Sequence, residues 1–246
     1  MRPFRSHIIE ATEPSLCDMM TTDRFLDDGE EIKELKKMVT SWKLETGDRK
    51  EMEDYFIKTI FGCKTRSRNT KHTHGPLYRG VFKSWTDFDR MGLTFRPNTN
   101  PNSDRLHARG RYRSAHRLTS WTNDEEIARN FLISPKKAQS RFSVGILMSY
   151  TPPPERTFTI DRMNVIAAFR EEREVIVHLD GAVDVDFSVS AKGLMEYLIL
   201  SSGSTSIDTV SMATIAKKLG KRNAEAITNH PAVKAFLKRR GIKVVK

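Results

Sequence analysis

Apolar and polar residues follow two rhythms along the 246-residue chain, and the change of rhythm divides it. Over residues 29–44, Ile32, Leu35, Met38, Val39 and Trp42 recur every three or four positions, the stripe of an amphipathic helix. Thr46-Gly47 ends that pattern. Asp48, with Glu51 three residues later, then opens a second helix whose stripe is Met52, Tyr55, Phe56 and Ile60. From residue 77 the period falls toward two. Short strands are predicted at 77–82 (LYRGVF), 118–122 (LTSWT), 142–150 (FSVGILMSY), 157–160, 172–179 and 183–190. In FSVGILMSY, Phe142, Val144, Ile146, Met148 and Tyr150 share one face, and Pro152-Pro153-Pro154 stops the run. A helix opens at Asn123, with Glu126 three residues on and Ile127 and Phe131 on one side. Between the first two strands, 96–117 (RPNTNPNSDRLHARGRYRSAHR) is rich in Asn, Pro and Arg and reads as a long polar loop. Helical spacing returns at 191–200, at 207–219 up to Gly220, at 223–229, and at 231–240 with Pro231 in the first turn. The expected architecture is α+β: N-terminal helices (29–61) on a mainly antiparallel β core (77–190), one domain over 1–190, and a basic helical segment over 191–246. No internal repeat is present.

Composition narrows the class. Hydrophobic residues make up 38% and charged residues 30%, an ordinary globular balance. Two cysteines, Cys17 and Cys63, are too few for a disulfide framework or a cysteine-rich zinc site and suit a reducing compartment. No apolar run approaches the roughly 18 residues of a membrane span. The start, MRPFRSHIIEATEPS, lacks the apolar block of a secretory leader. The expectation is a cytoplasmic protein, made in place or delivered into a host cell, without a membrane partner. The net charge of +11 is unevenly placed. Residues 1–63 carry −4 and residues 207–246 carry +8. Within the middle, 64–71 (KTRSRNTK) and 105–117 (RLHARGRYRSAHR) hold bases and no acid.

Three segments carry candidate chemistry. In 171–179 (EEREVIVHL), alternation points Glu172 and Glu174 the same way, about 6.5–7 Å apart, and sends Val175, Val177 and Leu179 to the other face. Paired carboxylates suit chemistry at an anomeric carbon, one stabilising positive charge and the other activating a nucleophile. A solvated strand end would present the same pair, and Glu171 leaves the register open by one residue. In LYRGV, Arg79 offers a fixed fork of donors to a phosphate, and Gly80 lets a ligand approach the backbone. A structural salt bridge would use Arg79 equally well. In TSWT, Ser120 can orient a carboxylate through its hydroxyl, while Thr122 or Asn123 caps the following helix.

Taken in order, LYRGV (77–81), TSWTNDEEIARNF (119–131) and EREVIV (172–177) resemble the mono-ADP-ribosyltransferases of the Arg-Ser-Glu class, which include bacterial toxins. The chain size resembles that of free-standing bacteriophage enzymes of this class, which modify host transcription and translation proteins. Trp121-Thr122 stands where Thr-Ser is usual; a hydroxyl remains at 122. The resemblance implies N-terminal helices on a two-sheet β core, NAD as substrate, no metal, and transfer of ADP-ribose to a protein arginine. It implies that Arg79 binds the NAD phosphate and ribose side and that Gly80 offers backbone hydrogen bonds to the nicotinamide amide. Ser120 would position NAD and the catalytic Glu174, and Glu172 would engage the acceptor. The turn 165–171, with Phe169 and Arg170, would recognise the target. Glu at 172 goes with arginine acceptors in that family.

Two other readings remain. The basic 105–117 and 207–246 segments suit nucleic acid, an acidic protein or a target bound to nucleic acid, with helix–Gly–helix punctuation in the tail that imitates a helix-turn-helix. In the first, the chain is a nucleic-acid-binding protein and the motifs are incidental; in the second, a transferase takes nucleic acid as acceptor. His72, His74, His107 and His116 have no metal-ligand spacing and read as loop residues.

Overall fold

The structure, a computed structural model, describes residues 30–43, 48–62, 75–84, 87, 90–96, 103–133, 143–159, 174–201 and 209–245. Glu171, Glu172, Phe169 and Arg170 lie outside these residues, as do the 64–71 segment, Cys17, Cys63, His72 and His74. Helices α1 (Glu30–Lys43) and α2 (Arg49–Phe56, continued by one π-helical turn Ile57–Phe61) come first. They are followed by β1 (Leu77–Ser84), β2 (Thr94–Phe95), β3 (Arg105–Arg113), β4 (Leu118–Thr122) and α3 (Glu125–Ile133). Then come β5 (Ser143–Tyr150), β6 (Thr157–Thr159), β7 (Glu174–His178) and β8 (Ala182–Ser190). The C-terminal part holds α4 (Ala191–Ser201), β9 (Thr209–Ser211), α5 (Met212–Leu219), α6 (Lys221–Asn229), α7 (Pro231–Arg240) and β10 (Lys243–Val245). The fold is α+β.

Strands β1–β8 form one antiparallel sheet in the order β2-β3-β8-β5-β1-β4-β7-β6, and β9 and β10 form a separate parallel pair. The large sheet consists of two blocks. β1 and β5 share eight register pairs and β3 and β8 share nine, whereas β1 and β4 share only Tyr78↔Thr122. The two-sheet core expected from the sequence thus becomes two blocks of strands joined at one point.

Each face of the sheet has its own cover. Leu35, Val39 and Trp42 of α1 join Met52, Phe56 and Ile60 against Leu118, Phe158 and Ile176 of the β4–β7–β6 block. Asp48 starts α2 as its pattern predicts, its carboxylate accepting the Lys50 and Glu51 backbone N–H groups at 2.8 and 3.2 Å. On the opposite face, alternate residues such as Ala108, Ile146, Met148, Val175, Val177 and Phe187 form the main core. The C-terminal helices close that same core with Ile215, Ile227, Val233 and Leu237. Strand β7 is therefore buried on both faces, through Val175 and Val177 on one side and Ile176 on the other.

Two sequence expectations are corrected. Part of the supposed loop 96–117, Arg105–Arg113, is strand. Leu106, Ala108 and Tyr112 of β3 point into the core, while Arg105, His107, Arg109, Arg111 and Arg113 take the other face. The alternation is present in the sequence, but the inward residues include a small alanine and a glycine, so the arginines dominate the composition. The helix expected from 207 begins only at Met212, because Thr209–Ser211 pairs with Lys243–Val245.

The acidic front and the basic 114–117 turn meet inside the molecule. Glu53 of α2, 5% exposed, sits 3.6 Å from Arg49, 3.5 Å from His116 and 3.7 Å from Arg117. It also accepts the Arg117 backbone N–H at 3.3 Å, and the Arg117 guanidinium pairs with Asp54. Replacing Glu53 with Ala removes the carboxylate that Arg49, His116 and Arg117 share, while Arg117 keeps Asp54. Because those partners are partly exposed, the expected loss is about 1–3 kcal/mol in urea denaturation, whereas Arg111→Ala on the open sheet face changes stability by under about 0.5 kcal/mol.

Burial pushes the imidazole pKa values of His107, His178 and His230 down. His230 is 3% exposed and neutral in its role as cap of α7, its Nδ1 accepting the Ala232 N–H at 3.2 Å. A depressed imidazole pKa means that the unfolded chain takes up the proton first. Stability is therefore expected to fall as pH drops below the ordinary histidine value of about 6.5 and to level off below the shifted values. His230→Asn, which keeps a capping oxygen, should flatten this decline in denaturation midpoints measured from neutral to mildly acid pH.

Candidate active site

The candidate residues are gathered where the two blocks of the sheet meet. Register places Tyr78 of β1 opposite Thr122 of β4, and Thr122 opposite Glu174 of β7, so three strands contribute one row. Ser120 lies two residues back on β4, opposite Ile176, and shares the Glu174 face by alternation. Its hydroxyl donates to the Glu174 carboxylate at Oε1. From β1, Arg79 Nη1 donates to the Ser120 carbonyl at 2.6 Å. Ser120 is thus the link between the arginine and the carboxylate, holding one through its backbone and the other through its side chain.

Glu174 is 3% exposed, which excludes the solvated strand end as a description of its surroundings. The Arg79 Nε is buried and has no hydrogen-bond partner among the described residues. Burial lowers the pKa of Arg79, Tyr112 opposes that shift, and Arg49 adds to it. The guanidinium stays charged in any case.

A cleft with about 520 Å³ of open space, mouth included, lies over this junction. Arg79, Gly80, Ser120 and Glu174 all line it, together with Tyr78, Thr122 and, from α3, Ala128 and Phe131. Four residues chosen from three separate sequence motifs therefore meet in one cleft. Glu172, Phe169 and Arg170 lie outside the described residues. Tyr78 and Phe131 were not anticipated as lining residues. Tyr78 follows from the β1–β4 register, which no local pattern reveals. Phe131, 38% exposed, shows only as an aromatic on the helix after LTSWT.

Local chemistry builds the walls. Asp124, rather than Asn123, caps α3: its carboxylate accepts the Glu126 N–H at 2.9 Å and the Ile127 N–H at 3.4 Å. Thr122 fixes the approach by accepting the Asp124 N–H at 3.1 Å. Behind β4, the Trp121 indole donates to Thr119 at 2.7 Å, and Trp121 packs edge-on against Tyr112 with ring centres 6.3 Å apart. Gly80 allows α3 to lie against β1, since a Cβ there would stand 2.1 Å from the Ala128 carbonyl oxygen. Among the described residues, no group of three or more His, Cys, Asp or Glu side chains is arranged to hold a metal.

Gly80→Ala should displace α3 from the sheet, because the obstruction is backbone rather than a flexible side-chain end. A loss of about 1–3 kcal/mol in denaturant-monitored stability is expected. The chain matches no protein-family model, no curated protein and no solved structure, so the functional argument rests on the chemistry of this cleft.

Proposed function

We propose that this chain is an NAD-dependent mono-ADP-ribosyltransferase that transfers ADP-ribose to arginine in target proteins and releases nicotinamide. The observation that carries the reading is the convergence of Arg79, Ser120 and Glu174 in one cleft, with Ser120 bonded to both of the others. These are the residues to which the resemblance assigns NAD binding and catalysis. The α+β architecture with an antiparallel sheet in two blocks is compatible with an ADP-ribosyltransferase-like fold.

The donor set suits NAD. The unsatisfied Nε of Arg79 supplies a charged donor for a diphosphate oxygen. Glu174, held by Ser120, places a fixed carboxylate beside the ribose, where it accepts a hydroxyl hydrogen bond and stabilises positive charge at C1′. The bond from C1′ to nicotinamide breaks and its electron pair leaves with the neutral ring. A new bond forms from C1′ to an acceptor guanidinium nitrogen, whose proton passes to Glu172. That second carboxylate is needed because an arginine is protonated, and a poor nucleophile, at neutral pH. No metal enters this scheme. The targets would be host transcription or translation proteins, met in the cytoplasm of a host cell.

The test is incubation with NAD labelled in its ADP-ribose portion and a bacterial lysate, with protein label and free nicotinamide followed separately. Wild type should label protein. Glu174→Gln should lower both readouts by at least about 10²-fold, and Glu172→Gln should abolish labelling while leaving nicotinamide release. Labelling by Glu174→Gln at the wild-type rate would sink the assignment. Label removed by nuclease rather than protease would make nucleic acid the acceptor.

A further inference from the structure

The two basic segments differ in what their charges do. On β3, Arg109 lies opposite Asp186 and Arg111 opposite Asp184 across the β8 register, and Arg96 pairs with Asp186 at 2.6 Å. Arg105 donates to the Ser188 hydroxyl and carbonyl at 2.6 and 2.8 Å, and Arg117 is held by Glu53 and Asp54. Arg96, Arg105 and Arg117 are thus engaged by the fold itself, and acids stand opposite Arg109 and Arg111 in the register.

The C-terminal unit is different. Residues 209–245 contain nine Lys and Arg and one acid, Glu225. Two of the nine are engaged: Lys218 lies over the Tyr197 ring at 5.2 Å, and Arg240 stands 3.6 Å from Glu196. The other seven are exposed and make no ion pair among the described residues. They sit on the sides of α5, α6, α7 and β10 away from the core, because Ile215, Ile227, Val233 and Leu237 take the inward sides. α5 and α6 are joined by the single residue Gly220, whose φ is +84°. α6 is pinned on its inner side by Asn223, which accepts the Phe95 N–H at 3.0 Å and donates to the Leu93 and Leu219 carbonyls at 2.6 Å. Its outer stripe is Lys221, Arg222, Glu225 and Asn229. Lys217 on α5 and Lys234 and Lys238 on α7 flank it in sequence.

We propose that this C-terminal unit binds double-stranded DNA. The exposed cations contact backbone phosphates, and α6 is the helix offered to the major groove. Phosphate binding needs exposed cations that no carboxylate neutralises; Asp184 and Asp186 stand across the register from the β3 arginines, whereas the nine cations of this unit share it with one acid, Glu225. A short helix–turn–helix with a rigid second helix carrying Lys, Arg and Asn outward suits a B-form groove; the deep, narrow major groove of duplex RNA would not admit it. The inference is independent of the transferase reading.

The experiment uses the full chain and fluorescence anisotropy of a labelled random-sequence DNA duplex, titrated between about 50 and 200 mM salt. Binding should weaken steeply with salt. A combined Lys217→Gln, Lys221→Gln, Lys234→Gln, Lys238→Gln variant should reduce the slope of log K against log salt by about 3 to 4. Its melting temperature should stay at the wild-type value, since the four side chains are exposed. Label transfer from NAD is read on the same variant and should also be unchanged, so failure of one proposal does not imply failure of the other. Absence of DNA binding at the lowest salt, or an unchanged slope in the variant, overturns the proposal. So does equal or tighter binding to duplex RNA, or competition by polyglutamate as effective as by unlabelled DNA, which would point to an acidic protein surface.

Discussion

A carboxylate cannot be placed on a doubly buried strand without donors, and the arrangement around Glu174 follows from that requirement. Its own strand supplies hydrophobic neighbours on both faces. The hydroxyl of Ser120 supplies a donor, and Arg79 reaches Ser120 from the third strand. These contacts lie where backbone pairing is thinnest, since β1 and β4 share one residue pair. Had the two strands paired along their length, ladder bonds would have closed the junction and left no cleft. Polar side chains bridge the gap, so the same residues that join the two blocks also line the cleft.

The wall formed by α3 is tied to the same junction. It starts immediately after β4, through Thr122 and the Asp124 cap, and lies against β1 at the one position that lacks a Cβ. The helix therefore cannot shift without disturbing either the strand that carries Ser120 or the strand that carries Arg79. A site built this way is held by strands and a capped helix, which restricts its members more tightly than a loop would. The turn 165–171, expected to recognise the acceptor, lies outside the described residues.

Much of this was legible along the chain because each signal was local. LTSWT is the strand Leu118–Thr122 residue for residue, the capped second helix starts where Asp48 places it, and Val175 and Val177 face the core as alternation requires. Arg79, Gly80, Ser120 and Glu174 were singled out by motif order, and they line one cleft. The failures have physical reasons. β3 was hidden because its inward side includes Ala108 and Gly110, which read as loop residues beside four arginines and a histidine. Tyr78 was not anticipated because its place depends on pairing with a strand some forty residues away. The strands Thr209–Ser211 and Lys243–Val245 are three residues each and are defined only by each other.

Net charge was the least informative number until it was resolved into partners. An excess of +11 describes both the β3 face and the C-terminal helices, yet Asp184 and Asp186 stand across the register from the first, whereas the second carries one acid, Glu225, among nine cations. The C-terminal unit also shares the main core with the sheet, through Ile215, Ile227, Val233 and Leu237. Deleting it would expose the sheet face opposite α1 and α2 and would confound charge with stability. Its cations can be neutralised singly without touching that core. Exposed charge that contributes little to the fold can be set by what it must meet outside the molecule, and in this chain such charge is concentrated on α5, α6 and α7.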